Sequence, residues 1–503
     1  SIIMQMTRRK ALQSFIMTGT GALLSQCGPR SEARRPNIIF IMTDDQTVDQ
    51  MSCYGNKILK TPNMDRLAYE GTRFANCFCT NSLCAPSRAT ILTGCYSALH
   101  GITGNTEKKG ETLKINPDLP TFPELLQHVG YQTALIGKYH IQQEPIGFDE
   151  WCILPGQGVY FDPEFIENGV MTKTEGYVTD VITDKTLDYL NRIDLTKQFC
   201  LVYQHKGPHR PFKPAPRHEH LWDDIEFPYP ETFNDDYATR RVAKLAEDMK
   251  FEISLAGDYE DLPEDLTEEQ KKIWIYQRFV KDHYRAVVGI DENLGRVLDF
   301  LDERDLTEDT MVIYTSDNGF YLGEHGWYDK RFMYEPSFRI PLVIRYPRLG
   351  VTGHVSDELV LNVDIAPTIL DIAGIPVPDA MQGLSLRPLL EGHAPGDWRE
   401  SVYYAYYEDS WRRYKNLKQE DLADPSFKYF TAHRVGPHRG VRTDRYKLIE
   451  YYTEGDYWEL FDLKNDPNEL RNLYGETGYD DITQQLTQEL RRLQKLYGVE
   501  NEV

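Results

Sequence analysis

Asn37-Ile38-Ile39-Phe40-Ile41-Met42, followed at once by Thr43-Asp44-Asp45, is the stretch that decides the fold. It is a short apolar run with no polar alternation, the pattern of a strand covered on both faces. Similar runs recur at Thr133–Ile136, Phe199–Tyr203, Met311–Thr315 and Pro341–Arg345, with helical segments between them at Thr183–Arg192 and Phe279–Glu303. Buried strands alternating with helices predict an α/β fold, with a large, mainly parallel sheet flanked by helices. Ligands of such sheets bind beyond the carboxyl ends of the strands. Here those ends read Thr43-Asp44-Asp45, Gly137-Lys138-Tyr139-His140, Gln204-His205 and Ser316-Asp317-Asn318. Four strands that deliver charged or ligand-type side chains predict a site; packing alone does not require them.

The chain has 503 residues and a net charge of −22. The length predicts one large domain and a smaller one. The acidity excludes general nucleic-acid binding but not an anionic small substrate, which needs only a cation-lined pocket. Residues 1–35 read as an export signal or lipoprotein leader: Arg8, Arg9 and Lys10 precede a mildly apolar stretch too short to span a bilayer. Thr7-Arg8-Arg9 resembles a twin-arginine signal. Leu24-Ser25-Gln26-Cys27 resembles a lipobox, with Gln26 in place of the usual small residue, so membrane attachment through a lipidated Cys27 is a possible outcome. The other cysteines, at 53, 77, 79, 84, 95, 152 and 200, show no paired C-x-x-C spacing, which argues against zinc.

Residues 213–275 are acidic and irregular and read as a long insertion at the pocket mouth. Beyond residue 375 the texture changes. Val402–Tyr407, Tyr446–Tyr452 and Trp458–Phe461 read as antiparallel strands, and 481–497 as an amphipathic terminal helix. The expected organisation is a catalytic domain at 36–375 and a C-terminal subdomain at 376–503 that contributes to the substrate pocket.

The functional signal is concentrated at Cys84-Ala85-Pro86-Ser87-Arg88, continuing to Leu92-Thr93-Gly94. Pro86 suits the first turn of a helix, where its missing N–H has no partner anyway. Cys84 then sits at a helix N-terminus, which favours an anion, and Arg88 follows one turn later. This segment resembles the signature of the type I sulfatases, members of the alkaline phosphatase superfamily. The resemblance runs from about residue 36 to 475, and it implies an alkaline phosphatase-like catalytic domain with a small C-terminal antiparallel sheet. It also implies that a formylglycine-generating maturation enzyme oxidises Cys84 to formylglycine. Its hydrate attacks the sulfur of a sulfate ester and later expels sulfate by collapsing to the aldehyde.

Further residues follow from the same resemblance. Asp44, Asp45, Asp317 and Asn318, with the modified Cys84, would bind one hard divalent cation, Ca²⁺ or alternatively Mg²⁺, through oxygen ligands. Lys138 and His140 resemble a G-K-W-H segment: the Lys contacts nucleophile and sulfate, and the His assists the hydroxyl that collapses. His209, in Lys206-Gly-Pro-His209-Arg-Pro-Phe, is the expected general acid. Lys330 matches a second sulfate-binding Lys, and Arg88 holds the nucleophile or its loop. Gly319–Lys330, Lys206–Phe212 and Pro230–Phe233 resemble most the N-acetylglucosamine-6-sulfatase branch. His325, His438, Arg439 and Arg442 are the candidates for sugar recognition. The expectation is therefore an exported bacterial sulfatase, periplasmic or on the cell surface. Its substrate would be the 6-O-sulfate of N-acetylglucosamine or a related hexosamine in a glycosaminoglycan or host glycan. The competing readings are a phosphonate or phosphate ester hydrolase of the superfamily and a glycan-binding pseudoenzyme.

Overall fold

The computed structural model describes residues 35–105, 113–408, 433–452 and 456–500. The expected leader, including Cys27, lies outside the described residues.

Strand β1 (Asn37–Asp44) is buried at every position and forms the middle of a ten-stranded sheet. Chain order continues with β2 (Thr72–Phe78), β3 (Gln132–Lys138), β4 (Glu150–Leu154), β5 (Glu164–Glu167), β6 (Val170–Lys173), β7 (Phe199–Pro208) and β8 (Thr310–Ser316). Two short strands, β9 (Tyr321–Leu322) and β10 (Tyr328–Asp329), pair as a separate ribbon; β11 (Leu342–Arg345) and β12 (His354–Leu361) return to the sheet. Its order is β12-β2-β11-β8-β1-β7-β3-β4-β5-β6. The central strands β8, β1, β7, β3 and β4 run parallel, with Ile39 opposite both Leu201 and Val312. Strand β11 is antiparallel to both neighbours, and β5 and β6 are antiparallel at the far edge. The sheet is thus parallel where it carries the polar strand ends and mixed outside that centre.

Alternation along β1 builds both core layers. Ile38, Phe40 and Met42 pack on the side of helix Cys84–Thr93; Ile39 and Ile41 pack on the side of helices Pro62–Glu70, Val178–Arg192 and Glu268–Glu303. Each such side chain, fully buried, stabilises the fold by about 1.5–3 kcal/mol before entropy is counted.

Several boundaries differ from the sequence reading. The long helix begins at Glu268, because Thr267 and Gln270 form a reciprocal capping box. The expected irregular insertion therefore ends earlier. Its aromatic residues are not loose: Phe227, Phe233 and Phe251 form an apolar cluster with Ile275, Tyr276 and Phe279 of that helix. Among the described residues the C-terminal sheet has four strands, β13 (Ser401–Tyr406), β14 (His438–Thr443), β15 (Tyr446–Tyr451) and β16 (Tyr457–Asp462), followed by helix Asp480–Tyr497. The textural boundary after residue 375 does not separate compact units. The described residues from 35 on form one compact unit, and a single apolar cluster joins Phe78, Trp327 and Phe338 to Val402, Leu448 and Leu490.

Candidate active site

Helix Cys84–Thr93 is buried at all ten positions, so it reaches the centre of the molecule without an exposed face. Gly94 ends it in the left-handed region at φ 64°, its N–H bonded to the Thr90 carbonyl. The C-terminal sheet braces the approach to Cys84: the Thr80 carbonyl accepts from Ala405 N, and Ser82 N donates to the Tyr404 hydroxyl. Cys84 Sγ lies 3.3 Å from Asp44 Oδ1 and 3.3 Å from Lys330 Nζ.

The strand ends converge on this thiol. Asp44 closes β1, and Asp45 follows with φ 72°. Asp317 Oδ1 accepts from Asp45 N at 3.2 Å and Asn318 N at 2.9 Å; Asn318 Nδ2 donates to Asp45 Oδ1 at 2.7 Å. Arg88 binds Asp317 Oδ2 through Nη2 at 2.9 Å and Nε at 3.2 Å, and its Nη1 donates to the Lys138 carbonyl at 2.6 Å and Gln204 Oε1 at 3.0 Å. Lys138 pairs with Asp44 and Lys330 with Asp45. Gly137 brings β3 to this point: at φ 114°, a Cβ there would lie 1.7 Å from the Gln204 carbonyl oxygen, so no side chain fits.

Ligand atoms of Asp44, Asp45, Cys84 and Asp317 all lie within 4.8 Å of one another, as do those of Asp44, Cys84 and His209. Burial pushes the Asp45 carboxyl up to about 7, Lys330 opposes the rise, and the neighbouring Asp44 and Asp317 charges add to it. Burial and Asp44 raise Asp317 as well. Burial would also raise Asp44, but Lys138, His209, Arg88 and Lys330 hold it well below the usual carboxylate range. The amide oxygen of Asn318 is buried without a protein partner. Three carboxylates and an orphaned amide oxygen are a donor set that fits a hard divalent cation. A cation among them would relieve the like-charge repulsion that raises Asp45 and Asp317.

His209 Nδ1 donates to the Arg210 carbonyl at 2.7 Å, which turns Nε2 toward the cluster, 3.9 Å from Asp45 Oδ2. Burial, Lys138 and Lys330 hold this ring well below the ordinary histidine range. His140, at φ 60°, is held down by burial and by Lys138 and Arg88. All the residues expected to carry the chemistry therefore gather around Cys84.

The four candidates for sugar recognition are placed differently. His325 Nδ1 bonds Asp235 Oδ2 at 2.6 Å, both side chains being buried. His438 is fully buried in β14, with Met333 N donating to Nε2 at 3.2 Å and Nδ1 donating to the Gly436 carbonyl. Arg439 pairs with Glu450 at 2.7 Å, and Arg442 pairs with Glu335 at 3.2 Å with its guanidinium over the Phe78 ring. All four side chains are engaged within the protein: His325 by Asp235, and the three residues of β14 by the Met333 main chain, Glu450 and Glu335.

Other residues sit at the site without having been assigned from sequence. Gln204 bonds Arg88, and Gln157 bonds Lys138. Lys206 is buried over the Tyr160 ring, and burial with Lys138 lowers it to about 7. Asp329 and Arg331 flank Lys330 at φ 72° and 98°, and Asp329 pairs with both Arg331 and His433. Arg331 Nε and His433 Nδ1 are buried and unpartnered. The glycines around Gln157 were a visible signal. His433 had none, since it arrives from 104 residues away.

Comparison with known proteins agrees with this geometry. Residues 36–375 match the sulfatase family profile, and residues 410–496 match the profile described as N-sulphoglucosamine sulphohydrolase, C-terminal. An N-acetylglucosamine-6-O-sulfatase of Bacteroides thetaiotaomicron is 42% identical across 97% of this chain and 92% of its own. The human N-acetylglucosamine-6-sulfatase is 28% identical, covering 78% of this chain and 71% of its own. A solved structure described as in complex with its substrate D-glucosamine-2-N,6-O-disulfate superposes with a TM-score of 0.83, at 42% identity, over 93% of this chain and 99% of that one. Cys84 at its buried helix start, the strand-end carboxylates around it and a profile match over more than half of the sequence have one explanation: the chain belongs to the sulfatase family, enzymes that hydrolyse sulfuric esters.

Proposed function

We propose that this sulfatase removes the 6-O-sulfate from N-acetylglucosamine or a related hexosamine in a glycosaminoglycan or host glycan. The observation that carries the reading is the Cys84 cluster, in a chain so similar over its length to a relative named for that reaction. Formylglycine made from Cys84 supplies, as its hydrate, the hydroxyl that attacks sulfur and the group that sheds sulfate afterwards. Asp44, Asp45, Asp317 and Asn318 would hold Ca²⁺, or Mg²⁺, which supplies charge neutralisation beside the nucleophile.

The remaining work falls to this chain's own side chains. Arg88 fixes Asp317 and the end of β3. Lys138 and Lys330 offset negative charge as it moves from sulfur toward the leaving oxygen. His209 delivers a proton to that oxygen. Its Nδ1–H is committed to the Arg210 carbonyl, so donation from Nε2 requires the imidazolium form. The lysines oppose that form, and an adjacent sulfate ester favours it. Arg331, next to Lys330, and His433, paired with Asp329, carry unpartnered nitrogens, which supports a part for them in sugar recognition.

The test is incubation with glucosamine derivatives sulfated singly at O6, O3 or N, with the lost sulfate located by mass and NMR. Loss confined to O6 supports the proposal; a phosphate or phosphonate ester turned over with the higher kcat/KM refutes it. The leader composition supports export to the periplasm or cell surface, with Cys27 as the lipidation site. A Cys27→Ser variant should then leave the membrane fraction.

A further inference from the structure

His209 is held through the main chain on both sides of its ring. Its own carbonyl accepts from the Tyr160 hydroxyl at 2.5 Å and from Phe212 N at 3.2 Å, and its Nδ1 donates to the Arg210 carbonyl at 2.7 Å. The last contact sets where Nε2 points, so the ring is only as steady as Arg210. That residue is itself clamped. Arg210 Nε and Nη2 each donate to Asp258 at 2.6 Å, one to each carboxylate oxygen. Nη2 also donates to the Ser254 carbonyl at 3.0 Å and Nη1 to the Tyr328 hydroxyl at 3.4 Å, with the guanidinium 5.7 Å from the centre of the Tyr328 ring. A planar guanidinium forked onto a carboxylate is fixed in orientation as well as position.

Asp258 and Ser254 belong to the irregular segment before the long helix, in the turn Ala256–Asp258 and the helix Phe251–Ser254. That segment is rooted by packing: Phe251 and Leu255 are fully buried in one cluster with Phe212 and with Ile275 and Phe279 of the long helix. Packing locates Asp258, Asp258 locates Arg210, and Arg210 locates the ring. The pair spans 48 residues of chain, and its side chains are 29% and 18% exposed. Partly exposed pairs of this kind contribute little to stability; what this one supplies is geometry.

We propose that Asp258 is a positioning residue for proton transfer: through Arg210 it aims His209 Nε2 at the leaving oxygen. This rests on the sulfatase reading of the site, with His209 as general acid, and it gives the acidic insertion a part in the reaction. As the S–O bond breaks, its electron pair stays on the leaving oxygen. The Nε2 proton joins that oxygen to give the sugar alcohol, and water reprotonates the neutral ring. A ring displaced by about 1 Å forfeits most of that transfer. The nucleophile at Cys84 and the sulfate contacts of Lys138 and Lys330 stay where they are.

The test uses two substrates and two backgrounds. Asp258→Ala should lower kcat on a 6-sulfated glucosamine by about 10–100-fold, the scale for a partner that orients a site histidine, with KM changed by less than about threefold. On 4-nitrophenyl sulfate, whose leaving group needs little help from a proton, kcat should fall by less than about threefold. Asp258→Glu, which restores a carboxylate for the fork, should recover most of the loss. In a His209→Ala background, Asp258→Ala should cost nothing further on the sugar, because the two residues act as one unit. Melting temperature and aldehyde content at Cys84 should match the wild type. If Asp258→Ala does not fold, Asp258→Asn is read in the same way. Undiminished kcat on the sugar, equal losses on both substrates, or a loss that multiplies with that of His209→Ala overturns the proposal. Equal losses in His209→Ala itself would remove the general-acid reading and the proposal with it. A selective loss in His209→Ala without one in Asp258→Ala would remove the proposal alone.

Discussion

Two buried charge clusters in this protein look alike in sequence and differ in kind. Asp235, Arg240 and His325 form one; Asp44, Asp45 and Asp317 with Arg88, Lys138 and Lys330 form the other. In the first, Asp235 binds Arg240 through both oxygens at 2.6 and 2.7 Å and also accepts from His325 and Tyr237 N. Burial alone would raise that carboxyl, but these donors hold it at about 2. In the second, like charges press on each other, Asp45 rises to about 7, and an amide oxygen is left unpartnered. Left-handed backbone does not separate them, since Asp45 and His140 in one and His325 in the other all adopt it; unmet polar atoms and like-charge repulsion do. A closed cluster stabilises a fold. An open one, with like charges pressed together and unmet polar atoms, is built to receive something.

The comparison breaks most readily at Cys84. Cys84→Ala should fold with a near-native melting temperature and lose turnover to background. In active wild-type material the tryptic peptide Phe74–Arg88 should carry the aldehyde mass. Full activity with an unmodified thiol, or in the Ala variant, would overturn the mechanism.

Asp45→Asn sharpens the contrast next. Asn tolerates the left-handed backbone at this position as well as Asp does, so the fold should hold. Bound divalent metal, measured by elemental analysis, should fall with activity. Retention of both metal and rate would remove Asp45 from the ligand set.

A smaller effect distinguishes proton donation from sulfate binding. A sugar hydroxyl is a poor leaving group, and a general acid typically contributes about 10²–10⁴-fold. His209→Ala should lose that much kcat on a 6-sulfated sugar and far less on 4-nitrophenyl sulfate. Equal losses on both would make His209 a sulfate ligand.

The closed cluster should respond in stability and not in chemistry. Removing one partner of a buried pair costs about 3–5 kcal/mol, so Asp235→Ala should unfold at lower denaturant while its folded fraction keeps kcat within about twofold. The folded carboxyl lies below its unfolded value. Its contribution is therefore fully present above about pH 4 and is lost as pH falls through about 2. The wild-type denaturation midpoint should exceed that of the variant by less at pH 2 than at pH 6. Smallest of all, Arg439→Ala should leave kcat/KM on a 6-sulfated sugar within about twofold, because its guanidinium already pairs with Glu450. A tenfold loss would return Arg439 to sugar recognition.

By itself the sequence determined the parallel centre of the sheet and the residues that gather there. An apolar run long enough for one strand must be buried on both faces, and whatever follows it must emerge at the strand's carboxyl end. Asp44, Lys138 and Asp317 therefore had to meet near the Cys84 helix. It did not determine which charges were spoken for. His325, three residues beyond strand β9, is tied to Asp235 from 90 residues away. His438 and Arg442 look like offered cations until their partners, the Met333 main chain and Glu335, are seen, and Gln157 looks like loop filler until its amide is seen between Lys138 and His140. Strand and helix signals are local, carried by periodicity and caps. Whether a buried polar group is satisfied depends on partners from distant segments, and only the packed tertiary structure decides that.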